Sequence, residues 1–173
     1  PTRPTAGQTA AGRRCHSQPA GEGARQVLAQ GYDYCMSMDC GMIFPPDGII
    51  RLLDARKPII GANYSVRGNA VKGDPREAVV KMADDKGNLT SMSVASLPKH
   101  SFRCFSVGNG FTLYDAGVFK EIPEPWFEAR VNDAGDFSTE DVHFMNKANE
   151  AGIEIWCNPK IKIGHIGTYN YEF

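Results

Sequence analysis

The 173-residue sequence has no apolar run approaching the ~18 residues that a membrane-spanning helix needs. Its start, Pro1-Thr2-Arg3-Pro4, is followed by no apolar core of a signal peptide. The net charge of -1 leaves no surplus of either sign, so neither nucleic acid nor a membrane surface is an expected partner. There is no Cys-x-x-Cys pair. The cysteines Cys15, Cys35, Cys40, Cys104 and Cys157 are odd in number and scattered. This excludes a regular disulfide framework or zinc knuckle and points to a reducing, cytoplasmic setting. No internal repeat is present. Large apolar side chains are scarce over residues 1–24, where Gly, Ala, Pro, Arg and Gln dominate from Gln8 to Arg25. Such a composition cannot offset the entropy of ordering, so a loop or loosely packed segment is expected there. The chain also begins abruptly, as if a strand before Pro1 were missing.

What is present reads as one ordinary globular domain, 42% hydrophobic and 23% charged. A short helix is expected over 24–30, closed by Gly31, and a strand over 32–38. Pro45-Pro46-Asp47 opens a second helix with inner face Ile49, Leu52 and Leu53, followed by an apolar strand over 59–62. Strand, helix, strand is the unit of a parallel sheet with helices on its faces. Residues 78–82 and 89–94 read as a hairpin around Asp84 to Asn88, and 102–107 as another strand. Phe111-Thr112-Leu113-Tyr114 leads into a short helix near 116–119. Strands at 153–157 and 161–163 are expected near the end.

Chemistry concentrates around Ser138-Thr139-Glu140-Asp141-Val142-His143-Phe144-Met145. Ser138 or Thr139 can cap a helix there, and Glu140 and Asp141 fall in its first turn, where the helix dipole favours negative charge. Phe144, Ala148 and Ala151 form its apolar stripe and Gly152 ends it. Asp141 is therefore either a first-turn acid or a general base. Asp39 follows a strand, where α/β sheets bind ligands; it is either a turn residue or a cation ligand. His165, flanked by Gly164 and Gly167, is either structural or a metal ligand. Gly108 and Gly110 either make a turn or allow close approach of a ligand. Trp126, directly after Pro125, either offers a stacking face or plugs the core.

The order of these pieces carries a resemblance. Asp39-x-x-Met-Ile-Phe-Pro-Pro-Asp, Gly108-x-Gly-Phe-x-Leu, Pro125-Trp-Phe-Glu, Thr139-Glu-Asp-Val-x-Phe and Gly164-His-Ile-Gly follow one another along residues 25–168. Together they resemble the GT-A nucleotide-sugar glycosyltransferases, specifically the compact family 2-like enzymes of bacteria and phages, here N-terminally truncated. The resemblance implies an α/β/α sandwich with a mainly parallel sheet containing the strands near 33–38, 59–62 and 102–107. It implies a nucleotide-diphosphate sugar donor, of uridine type, and transfer to an acceptor hydroxyl with inversion. Asp39 matches the first acid of the family's Asp-x-Asp, and Gly41 replaces the second, which implies weakened binding of a divalent Mn²⁺ or Mg²⁺. His165 matches the late metal-binding histidine, Asp141 the base, and Glu140 a neighbour of the acceptor. Thr2 and Arg3 match residues that contact the nucleotide; Gly110 and Trp126 are further candidate substrate contacts. The alternative is a degenerate GT-A domain that binds a nucleotide sugar or glycan without turnover, favoured by Gly41.

Overall fold

Ile59, Ile60, Gly61 and Ala62 are all buried, which only a strand covered on both faces achieves. In a computed structural model that describes residues 18–64, 77–85, 88–131 and 137–166, this strand is near the centre of the main sheet. The elements in chain order are α1 (Gln18–Gln30), β1 (Tyr34–Met38), β2 (Met42–Ile43), α2 (Gly48–Asp54) and β3 (Ile59–Ala62). Next come β4 (Glu77–Ala83), β5 (Leu89–Ser93), β6 (Phe102–Cys104), β7 (Phe111–Asp115) and α3 (Val118–Glu121). The last are β8 (Arg130–Val131), β9 (Phe137–Ser138), α4 (Glu140–Glu150), β10 (Ile155–Asn158) and β11 (Gly164–His165). The five-stranded sheet has the order β1-β7-β3-β10-β6, and β4 and β5 form the expected hairpin beside it.

The α/β class is as expected; the mainly parallel sheet is not. Only β3 and β10 pair in parallel, whereas β1/β7, β3/β7 and β10/β6 are antiparallel. The cause is β7. β1 and β3 do run in the same direction, as their connection through α2 requires, but β7 lies between them in the opposite sense. The sequence reading took Phe111 to Tyr114 as a lead-in to a helix. All four are buried, so the run is a central strand. The strand expected over 102–107 stops at Cys104, and the late one forms at Gly164–His165 rather than over 161–163.

Alternation along the central strands feeds two cores. Ile59 and Tyr114 point into one, with Ala24, Phe119, Phe144, Met145 and Ala148 from α1, α3 and α4. Ile60 and Leu113 point into the other, with Leu52 of α2, Phe111 and Ile161. Successive strand side chains face opposite sides, so one strand serves both layers. Helix α1 begins at Gln18, inside the stretch expected to be loose. Burial of Ala24 and packing of Leu28 on the core override its glycine-rich composition. Gly31 (φ 73°) and Gly152 (φ 75°) close α1 and α4 in the left-handed conformation that glycine adopts without strain. Ala151, expected on the buried stripe of α4, is exposed at its C-cap.

Two predictions follow from this packing. A Cβ on Gly61 would stand 2.5 Å from Thr112 Oγ1 and 2.7 Å from Val107 Cγ2, both on stiff β-branched side chains. Gly61→Ala is expected to destabilise the protein by about 1–3 kcal/mol in urea unfolding, and an unchanged midpoint would refute this packing. The second concerns thiols. Burial pushes Cys104 up to about 12, and burial with the adjacent Cys104 pushes Cys157 higher still. Cys40 is exposed. Alkylation of native protein at about pH 8 should mark Cys40 and spare Cys104 and Cys157, as read by peptide mass spectrometry, because the thiolate is the reactive form.

Candidate functional site

The site begins where β1 ends. Past Met38 the chain turns tightly, with the Met42 N–H donating to the Asp39 carbonyl at 3.2 Å. The Asp39 N–H donates to the Gly110 carbonyl at 2.9 Å, tying this turn to the start of β7. Asp39 and Cys40 are exposed. Short β2 then pairs with β11, Met42 opposite His165 and Ile43 opposite Gly164, and the Ile166 N–H donates to the Gly41 carbonyl at 2.9 Å. His165 thus lies beside the Asp39 turn although 126 positions separate them in sequence. Both lie at the carboxyl end of β1, the edge at which open α/β sheets bind ligands.

Tyr64 is the residue at this edge that sequence reasoning missed. It follows the carboxyl end of β3 and is buried. Its hydroxyl accepts the Gly110 N–H at 2.9 Å, and its ring meets His165 edge-on with centroids 5.4 Å apart. A Cβ on Gly108 or Gly110 would come within 2.6 Å and 2.5 Å of that hydroxyl. Both glycines are therefore required by close packing of Tyr64. The Gly110 N–H and carbonyl are each already used, so Gly110 acts through Asp39 and Tyr64 and not as a backbone donor to substrate. An aromatic residue directly after a buried strand was the available signal for Tyr64.

Asp141 approaches the same edge from α4. Because α4 precedes β10, which runs with β3, the start of the helix returns to the carboxyl edge. Thr139 is the N-cap, but its side chain makes no capping bond; its hydroxyl donates to Asp141 Oδ1 instead. The same Oδ1 accepts the Val142 N–H at 2.8 Å. Asp141 therefore takes over the satisfaction of a first-turn donor that a cap residue normally supplies. Among the described residues, its Oδ2 accepts no hydrogen bond. One turn on, Phe144 packs edge-on against Tyr114 with centroids 5.5 Å apart. Burial, and after it the negative field of Asp141, push the Tyr114 phenol well above its ordinary value. Tyr114 stays protonated and donates to Asn109 Oδ1 at 2.7 Å. Glu140, half-buried in the same first turn, adds to that field.

Of the two roles open to Trp126, the structure shows the core one. It is 5% exposed, donates from Nε1 to the Ile122 carbonyl at 2.8 Å and packs on Phe119 at 5.3 Å. The Glu124–Pro125 bond just before it is cis. Thr2 and Arg3 lie outside the described residues.

Among the described residues, no three His, Cys, Asp or Glu side chains gather as a metal cage. What the edge offers is one carboxylate, Asp39, and one imidazole, His165, on adjoining segments. That sparse set fits a hard divalent cation that completes its shell with phosphate oxygens and water, and does not fit a cation held by protein alone. No helix among the described residues is long and apolar enough to cross a membrane.

No protein-family model matches the chain, and no curated protein matches it. Among solved structures it is similar to A197 from STIV, with a TM-score of 0.53 and 15% identity. The match covers 93% of this chain and 69% of that one. At that identity the likeness is one of fold: this chain shares the mixed α/β architecture of A197.

Proposed function

We propose that the protein is a glycosyltransferase of GT-A type that moves a sugar from a nucleotide diphosphate, a uridine one, to an acceptor hydroxyl with inversion. The observation that supports the reading is that the Asp39 turn and His165, 126 positions apart, meet through the β2–β11 ladder, with Asp141 in the first turn of α4 acting electrostatically on Tyr114 of the central strand.

In this reading Asp141 Oδ2 removes the proton of the acceptor hydroxyl, while Oδ1 stays anchored to Thr139 and Val142. The oxygen attacks the anomeric carbon as the bond from that carbon to the diphosphate breaks, and the electron pair leaves with the diphosphate. Asp39 and His165 would hold the Mn²⁺ or Mg²⁺, whose chemistry there is to neutralise charge on the leaving phosphate oxygens. Tyr64 holds the His165 ring from the side, and Gly110 holds the Asp39 turn. A second reading, binding of a nucleotide sugar or glycan without turnover, is favoured by Gly41, which brings no carboxylate to the turn.

Asp141→Asn tests the first reading. The amide oxygen can still accept from Thr139 and Val142, so the helix start loses only the dipole contribution, about 0.3–1 kcal/mol. The amide accepts no proton at neutral pH, so transfer from labelled UDP-sugar should fall roughly 10²–10⁴-fold. A variant that keeps more than about a tenth of the parent rate makes Asp141 a first-turn acid only. Gly41→Asp tests the cation site. Its carbonyl still accepts from Ile166, and the added acid should tighten Mn²⁺ binding in calorimetry. Unchanged affinity would remove the Asp39 turn from the cation site.

A further inference from the structure

An N-cap threonine ordinarily spends its hydroxyl on the backbone, its oxygen accepting an N–H of the first turn. Thr139 holds the N-cap position of α4 and does not do this. Its backbone is extended, with φ -68° and ψ 160°, and its carbonyl accepts the His143 N–H at 2.9 Å. The residue thus opens the helix with its main chain alone. Its hydroxyl acts as a donor instead, and the acceptor is Asp141 Oδ1. Thr139 is exposed, and an exposed hydroxyl is satisfied by water. Neither burial nor capping therefore accounts for its direction.

The bond has a geometric consequence for Asp141. A carboxylate is planar, so once Cβ and Oδ1 are fixed, the place of Oδ2 follows. Two donors fix Oδ1. The Val142 N–H, at 2.8 Å, belongs to the next residue and restrains the side chain only locally. The Thr139 hydroxyl reaches it from the N-cap, on a β-branched side chain that is stiff at χ1. The neighbouring Ser138 hydroxyl is turned to the Thr139 carbonyl at 3.4 Å and does not share the task. We propose that Thr139 is a positioning residue for transfer: its hydroxyl holds Oδ1 so that Oδ2 is presented to the acceptor hydroxyl. This inference rests on the glycosyltransferase reading and adds to it a residue that touches neither donor nor acceptor and acts through Asp141. A base works only within hydrogen-bond reach of the proton it takes, and a small misplacement is costly in rate.

The test reads release of labelled sugar from UDP-glucose, UDP-galactose or UDP-N-acetylglucosamine to water, with Mn²⁺. Water attacks the anomeric carbon, its proton goes to Asp141, and UDP leaves with the electron pair. Thr139→Val keeps the β-branched shape and removes the hydroxyl; Thr139→Ser keeps the hydroxyl. For Thr139→Val, kcat should fall about tenfold with KM for the donor within about twofold, and Thr139→Ser should stay within about threefold of the parent. A lost N-cap bond lowers the melting midpoint by roughly 2–4 °C, whereas Thr139→Val should melt with the parent. In an Asp141→Asn background Thr139→Val should change the remaining rate by less than about twofold, because a residue acting through Asp141 has nothing left to position. Parent-like kcat in Thr139→Val overturns the role of Thr139 and leaves the glycosyltransferase reading standing. So does equal loss in the Ser and Val variants, a loss that tracks a lowered melting midpoint, or losses that multiply with Asp141→Asn. A parent that turns over none of the three donors overturns the glycosyltransferase reading itself, and the assignment of Thr139 falls with it.

Discussion

Gly110 holds two hydrogen bonds that much of the site depends on. Its N–H goes to the Tyr64 hydroxyl and its carbonyl to the Asp39 N–H. Because β7 starts at the next residue, these bonds join the ends of β1, β3 and β7 at one point. They are short-range bonds between segments far apart in sequence, made possible by the missing Cβ. Any side chain at Gly110 would meet the Tyr64 hydroxyl, and that would loosen the Asp39 turn and the support behind His165 together. One backbone position thus couples the strand order of the sheet to the geometry of the edge at the end of β1.

The acid side of the edge rests on a division of labour within one carboxylate. Helix starts leave backbone N–H groups without partners, and an oxygen must satisfy them. Asp141 does this with one oxygen, helped by the Thr139 hydroxyl, which holds the carboxylate in place. The first-turn role uses Oδ1 alone. Below it, the buried Tyr114 phenol feels the negative charge and remains a hydrogen-bond donor. The aromatic packing of Tyr114, Phe119, Phe127 and Phe144 gives this end a rigid floor, with Phe127 and Phe144 stacked at 4.5 Å.

The cation side is thinner. Asp39 and His165 come from segments joined by a two-residue ladder, and Gly41 contributes a carbonyl to that ladder rather than an acid to the edge. A cation there would depend on its ligand's phosphate oxygens more than on the protein.

By itself the sequence determined the features that spacing and local chemistry set. Gly31 and Gly152 end their helices, Glu140 and Asp141 occupy a first turn, residues 77–93 fold back as a hairpin, and Asp39 follows a strand. Each depends on neighbours within a few positions. Tertiary structure alone decided the rest. Phe111 to Tyr114 reads as a short apolar run, and nothing local says that it enters between β1 and β3 and makes the sheet mostly antiparallel. Trp126 could have stacked on a ligand; a pocket of Phe119 and the Ile122 carbonyl took it inward. Which way the Asn109 amide faces depends on a phenol five residues away whose burial is set by α4. Strand partners and two-sided burial involve segments tens of residues apart, and their free energy has no expression in the sequence around any one of them.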